Sequence, residues 1–404
     1  MGPASGCDRG HQRLAGDGRG RGARRRRAAV RTRCGPDRSD RDAAARRRSV
    51  DVVVVGAGVA GLAAARALGA AGRDVAVLEA QDRVGGRLLS HPVGDRGLDL
   101  GATWFWSNEP RIQALIAELG LGTHAQHLEG DALYQDTRGV QRLQGNPIDG
   151  PAGRVTAGMQ AVATAMGDTL PAGVVRLGHA VERIEVTKDG IRVYAARLEA
   201  AGGESVRVAV DAGAVVLALP PALATHAITF EPALPEALAR LAAVTPVWMG
   251  AMTKAVIHYA RPFWRATGLA GAAISHVGPL REIHDMSGPD GEPAALFGFV
   301  PPRRPGAPTP TADAILRQLE TLFGPEAADP TDVHVVDWRD DEYTAPPGAD
   351  GLQNYATYGH PLYRTPTLAG RLHWASTETS TEVPGHIEGA LAAGARAAAA
   401  VLAG

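Results

Sequence analysis

The chain has 404 residues, 45% of them apolar, enough for a sizeable buried core and two intertwined domains, which excludes a peptide-like or fibrous protein. Its formal charge of −1 sums two unlike parts. Residues 1–49 carry 15 Arg against 5 Asp, so the remainder is net −11, a balance that argues against nucleic acid as its partner.

Residues 1–49 contain almost no aliphatic side chains and no periodicity, and a disordered Arg-rich tail is expected there. Arg24 to Arg27 suggest a twin-arginine or secretory signal, but the apolar run of roughly 7 to 15 residues that such a signal needs does not follow. A basic arm touching RNA or membrane is another reading, and a reading frame opened too far upstream is a simpler one. Both cysteines, Cys7 and Cys34, lie in this tail, so the folded part has no disulfide, no thiolate metal site and no cysteine nucleophile, and no metal is expected. No stretch approaches the ~20 apolar residues of a membrane span, so a soluble protein without a transmembrane segment is expected, in the cytoplasm.

Residues 51–79 (DVVVVGAGVAGLAAARALGAAGRDVAVLE) predict a buried parallel strand, a glycine turn, an Ala-rich helix and a second strand ending in an acid. In the turn formed by Gly56, Ala57, Gly58, Val59 and Gly61, the first glycine permits the tight bend and the second lets backbone approach a pyrophosphate. The third lets helix and strand pack closely. Glu79 is placed to accept hydrogen bonds from ribose hydroxyls, followed by Ala80 and Gln81. A dinucleotide is expected here.

Gln81 to Arg87 (QDRVGGR) decides which one. A glycine pair followed by arginine provides close backbone and a forked cation for a phosphate. Following an acid-terminated second strand, the segment strongly resembles the flavin-containing amine oxidase superfamily, the monoamine and polyamine oxidases. The resemblance implies FAD contacted by Glu79, Gly86 and Arg87, and with no cysteine after the tail the cysteinyl-flavin link of some relatives is impossible, so non-covalent FAD is expected. Gln81 departs from it, since the family commonly has Arg there.

Gly101, Ala102, Thr103 and Trp104 fall where the superfamily lays a backbone strip along the isoalloxazine ring; an ordinary turn with a packed aromatic is the equal alternative. Gly158-Met159 opens an amphipathic helix, and His179 to Arg197 predict a hairpin turned by Lys188-Asp189-Gly190. By resemblance, backbone near Val181 meets adenine, although a plain core valine reads as well. Residues 105–157 are too few for the long helical section of full-length relatives, so substrate access should be more open, or closed by a partner.

Residues 245–265 read as a strand running into a Pro-Phe-Trp turn. The chain has 42 basic residues, and only Lys188 and Lys254 are lysines. A lysine kept inside an apolar strand points to a compact, titratable ammonium. The family's matching lysine holds a water beside flavin N5, a role the resemblance gives to Lys254; a strand-edge lysine reaching solvent is the alternative. Trp338 matches a family tryptophan near the flavin and reads equally as a core aromatic.

The last segment predicts a strand, a Thr377-Glu378-Thr379 turn and an Ala-rich helix starting near Gly385. By resemblance Glu378 accepts hydrogen bonds from the ribityl or diphosphate region. The helix N-terminus near Ile387 would stabilise charge on the reduced ring. His386 stands where monoamine-type relatives place an aromatic wall, usually Tyr, of a substrate cage. The other wall has no assigned residue; Tyr355 and Tyr358 are candidates, each reading more readily as structural.

The expected fold class is α/β, a Rossmann-like FAD-binding domain with a second, reduced α+β substrate domain. The FAD-binding domain takes residues 50–105, 158–225 and 365–404; a shortened substrate segment takes 106–157 and the substrate domain 226–364. The expected activity is oxidation of a small-molecule amine by hydride transfer to flavin N5, with dioxygen as acceptor and hydrogen peroxide as product. Lys254 and His386 are the catalytic candidates. The alternatives are a carbon–carbon desaturase of the same fold and a non-catalytic flavin-binding accessory protein.

Overall fold

The computed structural model describes residues 48–197, 205–302 and 308–404. The Arg-rich tail lies outside them apart from its last two residues. Arg48 and Ser49 already belong to the first strand, Arg48–Val55, because they continue its ladder opposite Val210 and Asp211.

Val52 to Val55 are at most 2% exposed, which follows from pairing on both sides and cover on both faces. Arg48–Val55 runs parallel to Val75–Leu78 on one side and to Val206–Leu217 on the other. The eight-stranded sheet then continues through Ile191–Arg197, His179–Val186 and Thr229–Glu231, with Val175–Arg176 at the opposite edge. Leu372–Trp374, from near the chain end, adds parallel to Val215–Leu217. Helices Val59–Ala70 and Ile387–Ala403 pack together against this sheet, and Ala64, Ala65, Leu391, Ala397 and Ala398 share one buried cluster. Both chain ends therefore build the same layer.

The second sheet has seven strands in the order Asp332–Asp337, Thr253–Tyr259, Ala294–Val300, Glu282–Asp285, Leu269–Ser275, Asp131–Asp136 and Gly139–Leu143. It is mixed: Leu269–Ser275 pairs parallel with Asp131–Asp136 and the other neighbours are antiparallel. Helix Ala312–Phe323 covers it through Ile315, Leu319, Leu322 and Phe323, which join a core containing Tyr259 and Trp264. Residues 106–157 contribute one helix, Pro110–Glu118, and four short strands.

One stretch differs from expectation. The strand expected from residue 245 begins at Thr253, and Pro-Phe-Trp opens a one-turn helix, Phe263–Ala266. Residues 246–252 turn instead, with Met249 at φ 58°, and this turn carries Trp248 to the cavity described next. Among the described residues, no helix is long and apolar enough to cross a membrane.

Candidate active site

A single cavity of about 870 Å³ runs from the glycine turn after the first strand to the C-terminal helix. At its start, Gly56 has φ +97°, and a Cβ on Gly61 would lie 2.0 Å from the Gly56 carbonyl oxygen, so strand and helix touch through backbone. Gly58 instead faces open space; a Cβ there would meet nothing nearer than the Gly85 oxygen at 3.9 Å. Ala57 and Gly61 lie beneath the cavity surface, while Gly56, Gly58 and Val59 line it.

Glu79 follows the second strand, and both its carboxylate oxygens are held by backbone, Oε2 accepting from Ala57 N at 2.6 Å and Oε1 from Gln81 N at 2.9 Å. Its remaining lone pairs serve the cavity, which it lines with Ala80 and Gln81. Burial pushes its pKa up, against those backbone bonds and Arg83. Gln81 does not replace a basic contact: its amide nitrogen donates to both oxygens of Asp341, at 3.0 and 2.8 Å, and its buried Oε1 has no partner. Val181 lines the same end at a β-bulge in its strand.

Arg87 and Glu378, 291 residues apart in sequence, form an ion pair at 2.7 Å. Arg87 also donates to the Trp248 carbonyl at 2.9 Å, and Glu378 accepts from Trp248 N at 3.2 Å. Gly86 and Arg87 line the cavity, but Glu378 is fully buried behind Arg87 and does not. Its carboxylate compensates the half-buried guanidinium of Arg87.

The strip Gly101 to Trp104 follows the hairpin of Ser90–Val93 and Arg96–Asp99 and lies along the cavity wall. Lys254, 2% exposed, projects from its strand and donates to Gly101 O at 2.9 Å and to Thr103 Oγ1 at 2.5 Å. Its Nζ also sits 4.2 Å from the Phe297 ring centroid. Burial lowers its pKa to about 7, with Asp99 opposing and Arg154 adding to the shift. Asp99 and Arg154, both buried, went unread in the sequence because a single Asp or Arg carries no pattern. Trp338 lines this end too, its indole nitrogen donating to Leu100 O at 3.3 Å.

At the far end the C-terminal helix begins at Ile387 with His386 as its N-cap residue, two residues later than expected, and both line the cavity. Gly385 has φ +90°, and a Cβ there would lie 2.8 Å from the Trp248 indole, so only glycine allows this ring so close to the helix start. Both tyrosine candidates for the second wall take structural places. Tyr355 and Tyr358 do not line the cavity; Tyr355 packs behind Trp248 and the Tyr358 hydroxyl donates to Pro246 O. The rings beside His386 are Trp106, with centroids 4.9 Å apart, and Trp248, at 6.3 Å. Glu109, 2% exposed, accepts from His386 Nδ1 at 2.6 Å and from Trp106 N at 2.9 Å. That leaves His386 Nε2 as the imidazole's other polar atom. Trp248 was hidden in the stretch read as strand, and Glu109 by its place just before a helix-opening proline.

The site fits a dinucleotide that carries a planar redox ring. Open backbone at Gly58, the oriented Glu79 carboxylate and the unpartnered Gln81 Oε1 stand at one end, and a strip backed by a buried lysine at the other. The chain belongs to the flavin-containing amine oxidoreductase family, whose model matches residues 59–155 and 128–402. It is 32% identical, over 88% of this chain and 97% of the other, to a Mycobacterium tuberculosis protein provisionally named flavin-containing monoamine oxidase AofH. It is 29% identical to the putrescine oxidase of Kocuria rosea, over 87% of this chain and 95% of that one. A solved cyclohexylamine oxidase from Brevibacterium oxydans superposes with a TM-score of 0.73 at 26% identity, covering 88% of this chain and 99% of that one. The alignment with the mycobacterial relative spans 458 positions, so about 100 of them fall opposite gaps in this 404-residue chain. The protein is an FAD-dependent oxidoreductase, and with no cysteine after Cys34 its folded part offers no thiol for a cysteinyl link to the flavin.

Proposed function

We propose that this chain oxidises a small amine, using FAD held between the Gly56–Gly61 turn and the Gly101–Trp104 strip and dioxygen as the electron acceptor. One observation carries the reading: a single cavity joins the dinucleotide end to an end lined by Lys254, His386, Trp106 and Trp248. When bound, the flavin supplies the two-electron chemistry, accepting a hydride from the carbon next to a neutral amine and passing both electrons to dioxygen as hydrogen peroxide.

The chain's own groups prepare that transfer. Arg87, fixed by Glu378, offers its fork to a phosphate, and Glu79 takes ribose hydroxyls. Gly101 O and Thr103 Oγ1 engage two N–H groups of Lys254, and the third serves a water or dioxygen in the cavity. An amine reaches the site as an ammonium, and His386, held through Nδ1 by Glu109, takes its proton at Nε2. Trp106 and Trp248 bracket the amine's alkyl or aryl part and exclude water. The imine product hydrolyses to an aldehyde. With a shortened substrate domain, the entrance is either more open than in longer relatives or closed by a partner. Anaerobic addition of a panel of primary, secondary and polyamines should bleach the flavin absorbance band and air should restore it; a yellow protein that no amine bleaches would sink the proposal.

A further inference from the structure

Away from the cavity, the outer edge of the second sheet gathers imidazoles. Asp332 and His334 stand two residues apart on the edge strand Asp332–Asp337, so they share a face. The neighbouring strand puts His258 opposite Asp332 and Val256 opposite His334 on that same face. His91 arrives from a different part of the chain, the hairpin strand Ser90–Val93, and its ring centroid lies 4.2 Å from that of His334. One ligand atom from each of His91, Asp332 and His334 lies within 4.8 Å of the other two.

The geometry between His334 and Asp332 is that of co-ligands. His334 Nε2 is buried and makes no hydrogen bond, although Asp332 Oδ2 is only 3.2 Å away. Two groups that close would hydrogen-bond if one pointed a proton at the other. Donors bound to one tetrahedral ion at about 2.1 Å sit about 3.4 Å apart with both lone pairs converging on the ion. We infer that His91, Asp332 and His334 form a binding site for a divalent transition metal, with zinc as the ion and water completing the half-exposed side beside Asp332.

The donor set suits that chemistry. Two imidazoles and one carboxylate favour the later first-row ions over calcium or magnesium. None of the three residues lines the cavity, so the site is separate from the oxidation chemistry. Its place in the fold gives it a structural role. The hairpin that carries His91 continues through Asp99 into the Gly101–Trp104 strip, and the strand beside His334 carries Lys254. An ion here clips the strip's hairpin to the sheet that holds the lysine.

The test uses the FAD-loaded full-length chain, stripped with a chelator and titrated calorimetrically with zinc chloride, with metal content measured after dialysis. One equivalent should bind, and saturating zinc should raise Tm by several degrees. Asp332→Asn, at an exposed position that the fold tolerates, and His334→Gln should each weaken binding ten- to a hundredfold, with the flavin spectrum unchanged. Because Cys7, His11 and Cys34 could also take up zinc, Cys7→Ser/Cys34→Ser is titrated in parallel. Absence of stoichiometric uptake overturns the inference. So does uptake that persists in Asp332→Asn and His334→Gln but disappears from the cysteine variant, or weak uptake equal in all of them.

Discussion

Replacing Lys254 by Met tests the redox end of the cavity. The substitution keeps the length of the side chain and removes its charge and its bonds to Gly101 O and Thr103 Oγ1. Gly101 O keeps the Thr103 hydroxyl as a donor at 3.3 Å, so the lost bonds cost about 1–3 kcal/mol, while removing a buried ammonium relieves a desolvation penalty of comparable size, and the variant should fold and keep its flavin. The pH dependence carries the sharper prediction. Lys254 titrates near 7 when folded against 10.5 in the unfolded chain. Between those values the unfolded state binds the extra proton, so wild-type stability rises with pH and is lost as pH falls toward 7. The slope is at most ~1.4 kcal/mol per pH unit, so from about pH 7.5 to about 9 the wild type should gain up to ~2 kcal/mol over Lys254→Met in denaturant unfolding at saturating FAD. In stopped-flow mixing of the amine-reduced protein with dioxygen, the wild-type rate constant should fall as pH rises through about 7 and Lys254 loses its cation. Lys254→Met should be slower by roughly 10²-fold at low pH and flat across the range. Equal oxygen rate constants with equal pH profiles would refute the assignment of Lys254 to this step.

Glu79→Ala and Arg87→Ala should each purify largely without flavin, and Glu378→Gln should lose flavin less completely because it acts through Arg87; normal absorbance ratios in all three would defeat the cofactor geometry. Glu109→Gln keeps the shape of the side chain but removes its charge. Flavin content should stay normal while amine reduction of the flavin slows about tenfold, and unchanged reduction kinetics would remove the Glu109–His386 pair from the reaction. Glu388 caps the N-terminus of helix Pro110–Glu118, accepting from Arg111 N at 2.9 Å and Ile112 N at 3.0 Å. Glu388→Ala should therefore cost about 1–2 kcal/mol in unfolding experiments without abolishing turnover, and a neutral result would contradict the capping reading.

The dinucleotide end was legible because its information is local. An apolar β-branched run, glycines at 56, 58 and 61 and an acid closing the next strand lie within 29 residues, and backbone geometry alone brings them together. The alternation of the 179–197 hairpin and the Ala-rich final helix were readable for the same reason, since period and turn chemistry are properties of short segments. The lone buried lysine also stood out against an arginine-rich background. Tertiary structure decided what those segments meet. Glu378 lies behind Arg87 across 291 positions and His386 on Glu109 across 277, and no periodicity encodes such a pairing. Trp106 and Trp248, and not the two tyrosines, flank His386 because a turn at 246–252 replaces the expected strand and Gly385 leaves room for an indole. The sequence by itself determined the class of cofactor and the α/β fold class with its Rossmann-like start, both properties of contiguous motifs. Only packing decided which side chains share the cavity, because strands and helices far apart along the chain bury their faces against one another, and that burial sets what each polar group must pair with.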